Sequence, residues 1–306
     1  MNEMLKLEKL MTEQRNEHTM NLDEMTPYEI IKVMNTEDYH VVEAVQAALP
    51  NIEHAIIWST ESLQMGGRII YIGAGTSGRM GVLDAVECPP TFGVSYNTVV
   101  GLIAGGEEAF IKAVEGAEDD IELGKSDLKK INLTDSDIVI GLAASGRTPY
   151  VIGALNYARE IGAKTVSISS NRDAEISKEA DCAIEILTGP EILTGSTRLK
   201  AGTAEKMVLN MISTVSMVGI GKTYQNLMVD VRQTNQKLVS RAENIVMEVV
   251  GCTNQEAKEA LLEAEGEAKL AITKMLLSCD IMTARACLLE AGGKVKVAVS
   301  KRKTIN

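Results

Sequence analysis

The sequence predicts a doubly wound α/β protein, in which helices cover both faces of a five-stranded parallel sheet. Five short runs rich in β-branched residues alternate with helical patterns between residues 67 and 186, as in repeated βα units. The runs are apolar almost throughout, as expected of strands that are buried on both faces. Helical periodicity without strands precedes and follows them, which predicts N-terminal helices and a small C-terminal helical bundle.

The N-terminal part of the chain carries the signals of two helices. Thr26 and Glu29 form a capping box around Pro27, which favours a helix that begins at the proline. A second helix is predicted over residues 38–63, where apolar residues recur at helical spacing. We therefore assign residues 1–54 to a helical segment that packs on the core or on a partner subunit.

The central part of the chain, residues 55–225, contains the predicted sheet. Its strands are predicted at residues 68–72, 97–103, 137–142, 164–169 and 182–186. The helices between them are predicted at residues 77–87, 106–123, 149–161 and 174–180. The first of these helices is expected to stop abruptly after Glu87, because two prolines follow Cys88.

The C-terminal part of the chain, residues 226–306, is predicted to be a helical region, and strand patterns stop after about residue 240. A second capping box begins at Thr253, and the periodicity is interrupted near Gly266, near Asp280 and at residues 292–293. These interruptions predict three or four short helices. The region carries no motif to which chemistry can be assigned.

The composition excludes several classes of function. The chain has 306 residues, of which 31 are basic and 42 acidic, and the net charge of −11 disfavours nucleic acid and anionic membranes as partners. The five cysteines lack the spacing of a metal site. The charged N-terminus is unlike a signal peptide, and the apolar stretch at 207–221 is shorter than the roughly 20 residues of a membrane span. We therefore expect a cytoplasmic protein with reduced thiols and no bound metal.

One internal repeat points to a ligand site. Residues 70–79 and residues 138–147 each contain an apolar strand, then small residues, then Ser-Gly-Arg, and a predicted helix follows. Small residues let the backbone approach a ligand, and a helix N-terminus offers unpaired N–H groups and a positive dipole end to phosphate. Parallel strands bring such turns to one sheet edge, where open α/β sheets bind ligands. The predicted phosphate contacts are Gly75, Thr76, Ser77, Gly78, Ser145, Gly146, Arg147 and Thr148.

Two other interpretations of these turns compete with a phosphate site. Residues 73–78 fit the glycine pattern of dinucleotide-binding turns. That pattern also predicts an acid at the end of the next strand, where the chain has small residues after Ile103 and no acid before Glu107. Alternatively, the glycines and serines only make tight connections, which accounts for one copy of the turn but poorly for two.

The turns resemble the sugar-phosphate sites of the sugar isomerase (SIS) domain family. Over nearly its whole length, the chain is similar to one branch of that family, the sugar-phosphate etherases. The similar blocks follow one another in order at residues 12–16, 73–79, 84–90, 101–106, 113–119, 143–150, 189–202 and 226–230. The C-terminal helices resemble those of the branch much more weakly.

The resemblance implies cleavage of the D-lactyl ether at carbon 3 of N-acetylmuramic acid 6-phosphate, with N-acetylglucosamine 6-phosphate and D-lactate as products. In the implied route a base removes the carbon 2 proton of the ring-opened sugar, lactate departs, and water adds to the double bond. Two carboxylates in different environments can take and give these protons. The resemblance places the acid on Glu87 and the base on Glu118, and it implies no metal ion or redox cofactor.

Taken without the resemblance, these site residues have ordinary explanations as well. A single glutamate near a helix end, such as Glu87, is usually solvated, and Glu118 belongs to an acidic run that is typical of a solvated helix face. Ser196, Arg198 and Lys200 lie in a glycine-rich turn before a predicted helix. There they either contact the sugar or its phosphate, or only form a surface loop.

Two further functions stay open at this point. A non-catalytic sugar-phosphate-binding regulator would keep the serine turns without turnover, and the glucokinase regulatory protein resembles the same blocks. An aldose–ketose phosphosugar isomerase would need the base at carbon 2 but no acid directed at carbon 3. The length of the chain, with room for one such domain and not two, favours the etherase over the regulator. The resemblance and the apolar N-terminal helices also predict a homodimer.

Overall fold

The computed structural model describes residues 10–112, 114–230 and 236–303. The remaining residues, which include the start of the predicted N-terminal segment, lie outside this description. By its contacts the chain forms two units. The first comprises the described residues up to Val86 together with Asn97–Ser213, and the second comprises Glu87–Tyr96 together with those from Thr214 onward. The division at residues 54 and 225 stays a prediction about folding domains.

The first unit is built on a five-stranded parallel sheet, which confirms the predicted fold class. In chain order the strands are β1 (Ile69–Gly73), β2 (Val99–Ile103), β3 (Ile138–Leu142), β4 (Lys164–Ser169) and β5 (Cys182–Glu185). Their order across the sheet is β2-β1-β3-β4-β5. The order reverses its direction between β1 and β3. Sheets of this type bind ligands at such a reversal, beyond the carboxyl ends of the two strands.

The apolar strand sequences explain why β1 and β3 form the centre of the sheet. All five residues of each strand are buried, as in strands that are covered on both faces. Ile69 pairs with Ile138, and Gly73 pairs with Leu142. Because the two strands end at the same level, the turns that follow them begin side by side.

Helices surround this sheet in the first unit. Those that begin there are α1 (Pro27–Glu37), α2 (Tyr39–Gln64), α3 (Gly75–Phe92), α4 (Glu108–Ile111), α5 (Ile121–Lys130), α6 (Pro149–Ile161), α7 (Glu175–Lys178) and α8 (Lys200–Gly219). The capping box of Thr26 and Glu29 is formed at the start of α1, as predicted. The bounds of α6 also agree with the prediction, since Pro149 begins the helix and Gly162 ends it with a φ of +91°.

The predicted end of α3 is wrong. The helix continues past Glu87 and through both prolines to Phe92. Proline fixes φ near −65°, which suits a helix, and the two missing N–H groups cost two backbone hydrogen bonds that the last turn of α3 does without. Gly93 ends the helix with a φ of +66°, and its N–H donates to the Pro89 carbonyl at 3.0 Å. A Cβ atom on Gly93 would lie 2.1 Å from the Asp230 carbonyl oxygen, so this position requires glycine.

The single helix predicted over residues 106–123 is also wrong. The chain forms the short α4, then a 3₁₀ turn at Ala117–Asp119, and only then α5. Gly116 separates them with a φ of +77°, which side-chain-bearing residues seldom adopt. Asp120 caps α5 by accepting hydrogen bonds from the backbone of Glu122 and Leu123. The acidic run therefore forms a turn and not one solvated helix face.

The second unit contains a short antiparallel hairpin and a group of helices. The hairpin strands are β6 (Thr223–Tyr224) and β7 (Leu227–Met228). The helices are α9 (Gln236–Val250), α10 (Asn254–Glu263), α11 (Ala268–Leu277), α12 (Ile281–Glu290) and α13 (Val295–Lys303). Gly266, Asp280 and the glycine pair separate α10, α11, α12 and α13, as predicted, and these four described helices agree with the predicted three or four, whereas α9 precedes the capping box at Thr253. Among the described residues we find no helix with the length and apolar character to span a membrane.

Candidate functional site

The first turn connects β1 to α3 at the reversal of the sheet. A Cβ atom on Gly73 would lie 2.9 Å from the Gly78 nitrogen, and one on Gly78 would lie 2.6 Å from the Gly73 oxygen. Only glycine at both positions lets the strand and the helix approach this closely. Gly75 directs the chain into α3 with a φ of +53°.

The first turn carries free hydrogen-bond donors. Within the described part of the chain, no group accepts a hydrogen bond from the backbone N–H of Gly75, Thr76 or Ser77. The Thr76 hydroxyl is likewise without a partner there, whereas the buried Ser77 hydroxyl donates to Oε1 of Glu205 at 2.8 Å. Unpaired N–H groups at the N-terminus of an 18-residue helix suit an anion such as phosphate.

The second turn connects β3 to α6 and resembles the first in its chemistry. Gly146 has a φ of +74°, and a Cβ atom there would lie 2.4 Å from the Cβ of Ala174. The half-buried side chains of Ser145, Arg147 and Thr148 form no hydrogen bond or ion pair with the described residues. Two hydroxyls and one guanidinium are therefore free to meet a ligand beside the first turn.

The buried side chain of Asn171 holds the second turn in place. Its Nδ2 donates to the carbonyl oxygens of Ala144 and Ser145 at 3.1 and 3.2 Å and to Oγ1 of Thr12 at 3.1 Å. Its Oδ1 accepts from the Thr12 backbone N–H at 3.3 Å. The N-terminal block at residues 12–16 is thus tied to the turn. The sequence pattern identified the block at residues 12–16. It did not identify Asn171, because no motif around this residue indicates a contact with the turn.

Helix α8 also begins near the first turn. A Cβ atom on Gly202 would lie 3.4 Å from Cγ2 of Thr76, and Ser213 donates to Asp84 further along both helices. The two helices therefore run in parallel with their N-termini together. The carboxylate of Glu191 already accepts from the first two backbone N–H groups of α8, at 3.0 and 2.9 Å, so this N-terminus offers less to an anion.

The three residues predicted before α8 differ in their surroundings. Ser196 is half-buried and Arg198 is exposed, and neither side chain has a hydrogen bond or ion pair with the described residues. Lys200 is 2% exposed, and its ammonium group lies 2.7 Å from Oε2 of Glu37. That carboxylate also binds Asn16 and His18, at 2.8 Å each. The ion pair accounts for Lys200, whose contact with a ligand stays a prediction.

Burial and three hydrogen-bond donors together determine the pKa of Glu37. Burial alone would raise the pKa, but hydrogen bonds from Lys200, His18 and Asn16 outweigh it and lower the pKa to about 2. The carboxylate is therefore ionised at neutral pH, as its pairing with the buried ammonium group requires.

Glu118 and the first turn share one cavity of about 170 Å³, which Gly75, Arg79 and Ala104 also line. The Arg79 guanidinium donates to the carbonyl oxygens of Ala109 and Phe110, at 2.7 and 2.9 Å. Arg79 thus fastens α4 to the start of α3 and keeps the acidic turn beside the glycines. The structure brings together Glu118 and the first turn, which the sequence places 40 residues apart.

Glu87 lies further along α3, in the second unit, with an exposed side chain. Its pairing with Glu118 stays a prediction. Among the described residues, no group of three or more His, Cys, Asp or Glu side chains is placed to hold a metal ion.

We expect Arg79→Met to loosen the acidic turn. Losing two charge-assisted hydrogen bonds, worth about 1.5–3 kcal/mol when buried and less here, should raise amide hydrogen exchange around α4 by about tenfold. Hydrogen exchange with mass spectrometry measures this change. Arg159→Met is the matched control, because Arg159 has only a half-exposed ion pair with Glu179, at 3.9 Å. Unchanged exchange at α4 in Arg79→Met would contradict the anchoring role.

Comparison of the sequence with known protein families indicates the class of protein to which the chain belongs. The chain matches the glucokinase regulatory protein N-terminal SIS domain over residues 41–159, the SIS domain over 121–215, and the C-terminal lid domain of glucokinase regulatory protein over 225–287. A solved phosphoheptose isomerase from Francisella tularensis is 16% identical, with a TM-score of 0.48 over 63% of this chain and 98% of its own. The sheet, the paired turns and the family matches define an SIS-domain α/β protein.

Closer relatives narrow the class to one family. An N-acetylmuramic acid 6-phosphate etherase from Francisella tularensis subsp. tularensis is 60% identical over 90% of this chain and 93% of its own length. One from Lactococcus lactis subsp. lactis is 60% identical over 88% of this chain and 91% of its own. The chain belongs to the family of N-acetylmuramic acid 6-phosphate etherases.

Proposed function

We propose that the protein is a carbon–oxygen lyase that cleaves the lactyl ether of N-acetylmuramic acid 6-phosphate. The products are N-acetylglucosamine 6-phosphate and D-lactate, so the reaction serves the recycling of cell-wall amino sugars. The observation that carries this proposal is the 60% identity with etherases over nine-tenths of the chain. The cavity that Glu118 shares with the first glycine turn supports it.

The two turns are the proposed site for the 6-phosphate. The free N–H groups at the start of α3 offer hydrogen bonds and the positive end of a helix dipole. The hydroxyls of Ser145 and Thr148 add donors, and Arg147 adds a positive charge in a chain whose net charge is −11. Holding the phosphate at the sheet edge leaves the sugar carbons to extend toward the cavity beside Glu118.

The proposed chemistry is an elimination followed by an addition. In the ring-opened sugar, the aldehyde acidifies the proton on carbon 2. Glu118 takes this proton, the bond from carbon 3 to the ether oxygen breaks, and Glu87 gives that oxygen a proton as lactate leaves. Water then adds across the double bond, with its hydroxyl going to carbon 3 and a proton returning to carbon 2. Two carboxylates suffice for these transfers when one is ionised and the other protonated.

One assay separates the candidate functions. Purified protein is incubated with N-acetylmuramic acid 6-phosphate, and D-lactate is measured. Release of D-lactate is the expected result. The second candidate, a non-catalytic phosphosugar-binding regulator, is favoured by the two matches to glucokinase regulatory protein domains, and it would bind the substrate without releasing lactate. Interconversion of glucose 6-phosphate and fructose 6-phosphate would instead indicate an isomerase.

We expect Ser145→Ala to weaken substrate binding more than Ser77→Ala does. The Ser145 hydroxyl is free to donate to phosphate, whereas the Ser77 hydroxyl is shared with Glu205. A charge-assisted hydrogen bond is worth about 1.5–3 kcal/mol, so KM should rise by roughly 10–100-fold in Ser145→Ala. Steady-state kinetics measure the effect, with thermal melting to show that the fold persists.

Ser213→Ala provides the matched control for the two serine variants. Ser213 binds Asp84 between α3 and α8, away from the turns, so its loss should lower stability and leave KM unchanged. A normal KM in the Ser77→Ala/Ser145→Ala double variant would show that the phosphate binds elsewhere.

We also propose a cytoplasmic homodimer. Its support is the apolar surface of the N-terminal helices, where Tyr28, Ile31, Tyr39 and Val42 are all more than half exposed. All five cysteines are free thiols, which suits a reducing compartment. Light scattering should give twice the chain mass, and Ile31→Glu combined with Val42→Glu should shift the mass toward that of one chain. A wild-type protein with the mass of one chain would refute the dimer.

A further inference from the structure

A buried carboxyl group lies directly behind the first turn. Glu205, on α8, has no exposed surface, and its Oε1 accepts a hydrogen bond from the Ser77 hydroxyl at 2.8 Å. Its other oxygen, Oε2, has no hydrogen-bond partner among the described residues. Glu205 also forms no ion pair with any residue that the structure describes. Neither the predicted phosphate site nor the proposed elimination uses this group.

The charged groups on the two packed helices are engaged elsewhere. On α3, Arg79 binds the carbonyl groups of α4, and Asp84 accepts from Ser213. On α8, Lys200 pairs with Glu37, and Lys206 faces Asp84. No cation is therefore left on either helix to stabilise an ionised Glu205. Burial raises the pKa of Glu205 to about 7, although the hydrogen bond from Ser77 opposes the rise.

The single proton of the Ser77 hydroxyl cannot serve Glu205 and phosphate together. An ionised carboxylate only accepts hydrogen bonds, so the Ser77 hydroxyl donates its hydrogen bond to Glu205 and presents only lone pairs to a phosphate. A protonated Glu205 can donate to Oγ of Ser77, which frees the hydroxyl proton for a phosphate oxygen. Repulsion between a buried carboxylate and a nearby anion favours the same protonated state.

We propose that binding of a phosphosugar at the first turn takes up one proton at Glu205, which acts as a positioning residue by setting the direction of the Ser77 hydroxyl. This inference rests on the proposed function, since it requires the 6-phosphate at Ser77. In the free protein Ser77 donates to the carboxylate of Glu205. In the complex the carboxyl group donates to Ser77, and Ser77 donates to the phosphate.

The test measures binding against pH with a ligand that does not itself titrate. Phosphate esters change charge near pH 6, but the sulfate ester of N-acetylglucosamine 6-sulfate stays ionised between about pH 5.5 and 8.5. For the wild type we expect Kd to rise toward tenfold per pH unit at the alkaline end. Calorimetry in buffers of different ionisation enthalpy should show uptake of about one proton there. N-acetylglucosamine 6-phosphate serves as the second probe.

Glu205→Gln should remove the pH dependence. Its amide donates to Ser77 at every pH, so Kd should stay near the acidic wild-type value and no proton should be taken up. Asp84→Asn is the matched control, because Asp84 is another buried acid whose pKa is raised mainly by burial. This variant should keep the wild-type dependence of Kd on pH. Ser77→Ala should also lose the pH dependence of Kd, because it removes the hydroxyl that links Glu205 to the phosphate.

The outcomes are distinguishable from a failure of the proposed function. If the wild type binds neither ester, both the proposed function and this inference fail. If it binds with the same pH profile and proton uptake as Glu205→Gln, only this inference fails. Weak binding by a folded Glu205→Gln at every pH would also overturn it, because a permanent donor should be sufficient.

Discussion

Glu118→Gln is expected to abolish exchange of the carbon 2 proton with deuterated solvent and, with it, the release of lactate. The amide cannot take up a proton, so the carbanion-like intermediate does not form. Glu87→Gln should keep some exchange, because the base survives, while lactate release slows by roughly 10²–10⁴-fold, the usual share of general acid catalysis. Nuclear magnetic resonance of the recovered substrate measures the exchange, and a D-lactate assay measures the release.

Both variants should stay folded. Glu87 and Glu118 are exposed, and isosteric changes at such positions seldom cost more than about 1 kcal/mol of unfolding free energy. Glu122→Gln, on α5 and also exposed, is the matched control and should behave as the wild type does. Exchange that persists in Glu118→Gln but disappears in Glu87→Gln would reverse the two roles, and full activity in both variants would refute the mechanism.

Lys200→Met is expected to lower the free energy of unfolding by about 3–5 kcal/mol, because it leaves the buried carboxylate of Glu37 without its cation. Replacing both partners, in Lys200→Met with Glu37→Gln, should recover a large part of the loss. Urea unfolding at neutral pH measures both changes. Arg285→Met is the control, since the Arg285–Glu267 pair is half exposed and should be worth less than about 1 kcal/mol.

The same pair predicts a loss of stability in acid. The pKa of Glu37 is lowered to about 2 from an ordinary 4.5, so the folded state holds the ionised form more strongly than the unfolded state does. This contribution is complete above the ordinary value and is lost as the pH falls toward 2. Lys200→Met should show a smaller loss of this kind, because only the hydrogen bonds from His18 and Asn16 then hold down the pKa of Glu37. A stable Lys200→Met with a raised KM would instead make Lys200 a substrate contact, as predicted from the sequence.

The strands were predictable because their signal is local. The run from Ile138 to Leu142 is apolar throughout, rich in β-branched residues and only five residues long, which is typical of a strand buried on both faces. The helix ends were harder to predict. Two prolines predicted a stop after Glu87, yet Gly93 ends the helix, because the close approach of the Asp230 backbone requires a glycine there. That approach depends on tertiary structure, which the sequence pattern does not contain.

The residues of the candidate site also differ in whether a local sequence pattern or only tertiary structure reveals them. The serine turns were found because each is a short, repeated sequence at the end of a strand. Asn171 and Glu205 were missed because each acts on a turn that is distant in sequence, by 26 residues for Ser145 and 128 for Ser77. A glutamate within an amphipathic helix looks solvated until its neighbours are known. Only the packing of α8 against α3 makes Glu205 a buried acid.

The contact between Thr12 and Asn171 also sets an order on folding during synthesis. The two residues are 159 positions apart, and at about 5–20 residues per second the ribosome needs on the order of ten seconds to make the intervening chain. For much of that time the residues around Thr12 are outside the ribosome without Asn171, their buried partner. The second turn can reach its final hydrogen bonding only when Asn171, just after β4, has been made, so a nascent chain halted before Asn171 should hold the N-terminal segment undocked.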